Sequence, residues 1–222
     1  MRAMNPSTQA GYALTVRRIV SAAKPEFDAL FRIYTGSIPA AERKSAGQLA
    51  AMVARPEYCC LMAMRGQVAA GFAIAAKLGG TDAALLEYMA VDTEERGRGV
   101  GACLFRAMAA QPQLARRFLL IEVDSDAAIS ADCDDRARRK AFYRRLGAKE
   151  LAGLRYVMPR VSSTQPPAME LMVWRESPPE FLEKSCVRLW LASCYAQIYG
   201  AAADDPQIET MLAGLPERVA LV

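Results

Sequence analysis

The sequence predicts an α/β fold. A mixed central sheet of about six or seven strands is flanked by helices and followed by a C-terminal helical extension. Three observations predict it. Short apolar runs and stretches of helical periodicity follow one another in the order β α α β β β α β α β β. One strand of the buried kind, Ala84 to Val91, runs straight into a glycine-rich turn and then a helix. Pro178-Pro179 breaks the chain, and a stretch with a broad apolar face comes after it.

The elements follow in order. Ala13 to Val20 alternates as a first strand. Lys24 to Tyr34 has helical spacing through Phe27, Leu30, Phe31 and Tyr34, and Ala40 to Ala54 repeats it with Leu49, Met52 and Val53. Tyr58 to Met64 and Val68 to Ala76 read as strands joined by a hairpin turn at Arg65-Gly66-Gln67. Gly79 to Asp82 breaks the chain before the Ala84 strand. Val100 to Ala110 is a helix with Val100, Leu104 and Met108 on one stripe, and Phe118 to Val123 is a second buried strand. Asp134 to Leu146 is a helix, with Gly147 where a terminating glycine belongs. Ala148 to Met158 and Met169 to Trp174 read as final strands around a Pro/Ser-rich loop. Glu180 to Tyr199 and a short helix after Pro206 form the tail. The expected division is residues 12–176 for the main domain and 177–222 for the extension.

Composition narrows the function. Of 222 residues, 53% are hydrophobic and 23% charged, which marks a globular chain. The net charge of +4 comes from scattered Lys and Arg, so no nucleic-acid-binding stripe is expected. The densest basic run, Arg136 to Lys140 with Arg144 and Arg145, reads as a solvated helix face. The six cysteines include no CxxC pair and read as small core hydrophobes in a reducing cytosol. With no histidine, Ser-His-Asp and Cys-His catalysis are out of reach, and the commonest metal ligand is missing, so no metal is expected. Met1 to Gly11 is polar, and no apolar run reaches membrane-spanning length; a cytoplasmic chain with no membrane contact is the expectation.

The chemistry concentrates in Leu85 to Phe105. Gly97, Gly99 and Gly101 alternate where a strand turns into a helix. Glycine admits positive φ and leaves no Cβ in a ligand's way, so successive N–H groups at the helix N-terminus can face one anion. The spacing fails the Rossmann fingerprint, because residue 102 is Ala, and it lacks the Lys-Ser/Thr ending of a P-loop.

Arg96-x-x-Gly99-x-Gly101, after a strand ending Ala90-Val91-Asp92, resembles the coenzyme A signature of the GNAT acetyltransferase superfamily. Ala141 to Ala148 carries a second likeness, to that family's Phe-Tyr-x-x-x-Gly helix ending. The resemblance spans roughly Leu14 to Trp174. It implies a splayed GNAT-like sheet and acetyl-CoA as co-substrate. The diphosphate would lie on the main-chain amides of Gly97, Arg98, Gly99, Val100, Gly101 and Ala102, and the pantetheine along Met89, Ala90 and Val91. It further implies Tyr143 near the thioester sulfur, where a phenol can protonate the leaving thiolate. Many members have Asn where this chain has Arg136; that contact to the pantetheine or diphosphate is either replaced by an Arg–phosphate one or lost.

Other readings stay open beside these. Tyr143 is either that acid or an aromatic covering the core. Glu87, a carboxylate in an apolar strand, is either the general base that deprotonates an incoming ammonium or an Arg-paired structural residue. Glu122 and Asp124 share a strand face and either draw in a cationic amine or end the strand in solvent. Arg96 and Arg98 either bind phosphate or carry surface charge. The function implied is N-acetylation of a small-molecule, peptide or protein amine in a ternary complex. A degenerate acetyl-CoA-binding regulatory module is the alternative, and the apolar tail suits either its own domain or a homodimer.

Overall fold

A computed structural model describes residues 13–22, 25–40, 43–126, 133–159 and 168–222. The polar start (Met1 to Gly11), Asp132 and most of the Pro/Ser-rich loop lie outside them. The elements are β1 (Leu14–Ile19), α1 (Glu26–Ser37), α2 (Ala46–Ala54), β2 (Tyr58–Arg65), β3 (Val68–Lys77), β4 (Ala83–Val91), a 3-10 turn (Thr93–Glu95), α3 (Val100–Ala109), β5 (Phe118–Asp124), α4 (Cys133–Arg145), β6 (Lys149–Glu150), β7 (Met169–Trp174), β8 (Phe181–Glu183), α5 (Lys184–Tyr199), α6 (Pro206–Leu212) and β9 (Arg218–Ala220). Seven strands form a mixed sheet in the order β1-β2-β3-β4-β5-β7-β6, and β8 pairs with β9. The expected α/β class and strand number are what the structure shows.

The chain divides into two compact units. The first runs to Ala75 and adds Glu87–Ala115. Its β1 is antiparallel to β2, from Leu14 opposite Arg65 to Ile19 opposite Cys60. Leu30, Ile33 and Tyr34 of α1, Leu49 and Met52 of α2, and Leu104 and Met108 of α3 are buried, as their helical spacing requires. α2 starts on a capping box: Ser45 Oγ accepts from the Gln48 N–H, and Gln48 Oε1 accepts from the Ser45 N–H at 2.8 Å.

The second unit comprises Ala76–Leu86 and Arg116–Val222. In it β4 runs parallel to β5 from Ala83 opposite Phe118 to Leu86 opposite Ile121. β7 lies antiparallel on the other side of β5. One apolar core joins Leu85, Phe118, Leu120 and Val173 of these strands to Val187, Trp190, Leu191 and Tyr195 of α5, and to Ile208 and Leu212 of α6. Polar contacts tie α5 down at the turn before β4. Trp190 Nε1 donates to Asp82 Oδ1 at 2.8 Å, and Gln197 Oε1 accepts from the Gly79 N–H at 3.0 Å.

Two element readings change. The strand expected over Ala148 to Met158 survives only as Lys149–Glu150 and a bridge from Leu151 to Leu221, because Gly153 turns the backbone at φ +82° and Leu154 bonds back to Leu151. The tail is not wholly helical. Phe181–Glu183 pairs with Arg218–Ala220 before α5 begins, and that pairing satisfies the backbone groups of both segments.

Candidate active site

The site residues fall into two sets, one in each unit. In the first, Asp92 follows β4 and caps the 3-10 turn, its Oδ1 accepting from the Glu94 N–H at 3.1 Å, while its Oδ2 pairs with Arg32 at 2.7 Å. Glu95 is 3% exposed. It accepts from Arg65 Nε at 2.8 Å and from Arg98 Nη1 at 3.3 Å. Arg98 is thus engaged by a carboxylate, whereas Arg96 is exposed. Glu95 escaped notice in the sequence because nothing marks one glutamate of an acidic turn as buried.

Gly97 and Gly99 then take left-handed backbone, with φ of +75° and +80°. A residue with a side chain would carry about 1–2 kcal/mol of strain there. Chain neighbours aside, no atom lies within 4 Å of where a Cβ would stand on either glycine, so the space beside the turn is open. Gly99 is the N-cap of α3 and offers no side-chain cap. The amides of Val100, Gly101 and Ala102 therefore have no intrahelical partner, and they sit at the positive end of the helix dipole. Helix N-terminal amides beside open space, with no Cβ in the way, suit a diphosphate.

Gly71 marks the strand approach. A Cβ there would stand 2.7 Å from the Ala90 carbonyl oxygen and 3.1 Å from Leu104 Cδ1, so β3 closes on β4 and α3 with no room for a methyl. Ala90 is buried, and Met89 and Val91 are half-buried.

Glu87 lies four residues before Val91 on the same strand. Its side chain is 7% exposed. Lys44 Nζ, ahead of α2, sits 3.0 Å from Oε1 and 5.6 Å from the centroid of the Tyr88 ring. The contact is an ion pair without aligned hydrogen-bond geometry, and among the described residues neither Glu87 oxygen accepts a formal hydrogen bond. Burial raises the Glu87 pKa above the ordinary carboxylate range, opposed by Lys44. Tyr34 meets Tyr88 edge-on at 5.2 Å, and its hydroxyl accepts from the Lys44 N–H at 2.7 Å. Burial, then the Glu87 charge, raises the phenol pKa values of both Tyr58 and Tyr88. Glu87 is paired as one of the sequence readings required, but with a lysine rather than an arginine.

In the second unit Tyr143 is 7% exposed on α4, with its ring edge-on to Phe142 at 5.1 Å. Burial pushes its phenol up to about 12, against the pull of Arg139. Arg136 Nη1 donates to the Ser125 carbonyl at 3.5 Å. Asp124 pairs with Arg139 at 2.8 Å. Glu122 accepts from two phenols, Tyr156 on Oε1 and Tyr199 on Oε2. The basic run of α4 is not wholly solvated. Lys140 is 7% exposed, bonded to Glu170, with Glu150 at 3.4 Å and Asp126 at 3.5 Å. Burial lowers its ammonium pKa, but these three carboxylates outweigh that and raise it.

Residues 56–147 match the family model described as the acetyltransferase (GNAT) domain. Over that stretch the chain is similar to a GNAT acetyltransferase domain. The matched stretch holds Glu87, the glycine turn and Tyr143, and leaves out Lys44 and the tail. The GNAT fold recurs in solved structures at low identity. A protein assigned to the GNAT family from Bacteroides thetaiotaomicron superposes with a TM-score of 0.66 at 17% identity, covering 84% of this chain and 99% of that one. The ribosomal-protein-S18-alanine N-acetyltransferase from Escherichia coli gives 0.53 at 20% identity, over 75% of this chain and 96% of that one. An aminoglycoside 6'-N-acetyltransferase complexed with coenzyme A gives 0.56 at 17% identity, over 74% and 98%. No curated protein matches the chain significantly. Among the described residues no cluster of three or more His, Cys, Asp or Glu could hold a metal ion, and no helix is long and apolar enough to cross a membrane.

Proposed function

We propose that this GNAT domain transfers an acetyl group from acetyl-CoA to a primary amine by direct attack in a ternary complex. Glu87 carries the reading. It is a buried carboxylate whose pKa burial raises and whose Oε1 already holds an ammonium at 3.0 Å, in the unit that also holds the open glycine hollow. A carboxylate with a raised pKa is better matched to take a proton from an ammonium near neutral pH. Acetyl-CoA supplies the activated acetyl group. The amides of residues 97–102 would grip its diphosphate, with Arg96 beside them, and the main chain of Met89, Ala90 and Val91 would follow its pantetheine and polarise the thioester carbonyl. Arg98 engages Glu95 through Nη1 alone.

Tyr143 is the proposed partner of the leaving sulfur. With a phenol pKa near 12 and a thiol near 8.5, full proton transfer runs uphill by roughly 3.5 pK units, or about 5 kcal/mol. Hydrogen-bond donation to the developing thiolate is therefore the role its burial supports. Arg136 and Asp124 are kept as candidate phosphate and amine contacts. The transferase domain is assigned to residues 12–176, with 177–222 as an extension built into the second unit's core.

The fold neighbours act on a ribosomal-protein alanine and on an aminoglycoside, so the acceptor is left as a small-molecule, peptide or protein amine. The test is incubation with acetyl-CoA and a panel of such amines, following free thiol and the mass of each product. Thiol release coupled to an acetylated amine is expected. Acetyl-CoA binding without turnover on any amine would replace the enzyme reading with a regulatory module.

A further inference from the structure

We propose that Lys44 is itself an acceptor, and that the domain acetylates the Nζ of this lysine in its own chain. The proposal rests on the reading of Glu87 as general base. The reacting amine must be an ammonium held against that carboxylate, and Lys44 Nζ stands there, 3.0 Å from Oε1. Its place is built rather than incidental. The Lys44 N–H donates to the buried Tyr34 hydroxyl at 2.7 Å, and the next residue, Ser45, is locked as the N-cap of α2 by a two-way capping box. The side chain is 30% exposed, and Nζ lies over the Tyr88 ring. An aromatic face and a carboxylate together receive a primary ammonium.

Lys140, Lys149 and Lys184 are placed differently. Lys140 is enclosed by three carboxylates. Lys149 Nζ donates to the Leu221 carbonyl at 3.2 Å, and Lys184 Nζ donates to that of Leu215 at 3.0 Å. The step balances. Nζ gives a proton to Glu87, and its freed lone pair attacks the thioester carbonyl. The N–C bond forms, the nitrogen sheds its second proton as the C–S bond breaks, and the leaving thiolate takes up that proton to become free CoA. Glu87 returns its proton to solvent. The product is a neutral amide, so Glu87 loses its cationic partner.

The experiment needs no identified acceptor. Purified full-length protein is incubated with isotopically labelled acetyl-CoA, and each lysine is mapped by peptide mass spectrometry. Unfolded protein and Lys44→Arg serve as backgrounds. Labelling at Lys44 is expected to exceed that at Lys149 and Lys184 by at least about tenfold, a difference of about 1.4 kcal/mol in barrier. It should be first order and independent of protein concentration, as an intramolecular reaction is. Glu87→Gln should slow it by about 10²–10⁴-fold, the span of general-base catalysis. If that variant does not fold, the concentration dependence and the comparison among lysines still decide. Turnover of an external amine with Lys44 labelled no faster than Lys149 overturns self-acetylation and leaves the proposed activity standing. Failure of the protein to bind acetyl-CoA overturns both.

Discussion

Glu87 and Glu122 pose the same physical problem and receive opposite solutions. Each is a carboxylate on a strand of the sheet, drawn out of water. Glu122 is satisfied by phenols on both oxygens, one from Tyr156 and one from Tyr199. Glu87 has the Lys44 ammonium across an ion pair, with the Tyr58 phenol and the Arg55 charge near it, and no donor in aligned geometry. A carboxylate with both oxygens bonded is held in place, and its charge is already stabilised by the two donors. One left short of hydrogen bonds keeps an appetite for a proton, which a base requires.

The largest effect that sharpens this contrast is on catalysis. Glu87→Gln is expected to lower kcat by about 10²–10⁴-fold. In the native protein kcat should fall as pH drops through the raised Glu87 pKa, because the base must be ionised, and the variant should lose that acidic limb. Stability moves the other way. The folded state binds this proton more tightly than the unfolded chain does. The contribution of Glu87 is therefore best below the ordinary carboxylate pKa and worsens as pH rises to the raised one. Melting of Glu87→Gln at neutral pH should be no lower than that of the native protein.

Glu122→Ala attacks the satisfied partner. Two hydrogen bonds to a charged acceptor are lost and the buried Tyr156 phenol is left without this acceptor. Chemical denaturation should show a loss of about 3 kcal/mol. A loss indistinguishable from zero would dissolve the contrast. Gly99→Ala tests the hollow. Left-handed strain of about 1–2 kcal/mol and a methyl in open space should weaken CoA binding by roughly tenfold in calorimetric titration. Tyr143→Phe is expected to have the smallest effect, lowering kcat by about tenfold, the value of one charged hydrogen bond, with the KM for acetyl-CoA little changed.

What the sequence made legible was local. Alternating glycines between a strand and a helix announce the hollow, because positive φ and a missing Cβ are properties of single residues. Glu87 stands out because it interrupts an apolar strand. Its partner does not: Lys44 lies in an aperiodic link between two helices, 43 positions away, and no spacing rule joins them. The same holds for Glu122, whose phenols come from 34 and 77 residues downstream. Lys140 shows the converse error. Inside a basic run it looks solvated, yet the fold supplies three carboxylates from separate segments.

The second unit's core also bears on how the chain is made. Leu78 and Leu85 share that core with Val219 and Leu221, and Trp190 anchors on Asp82. A nascent chain would carry these early apolar segments uncovered until Val219 and Leu221 leave the ribosome, and closing such distant pairings is slow. Val219→Ser combined with Leu221→Ser should therefore cut the yield of soluble protein before it touches a single catalytic atom.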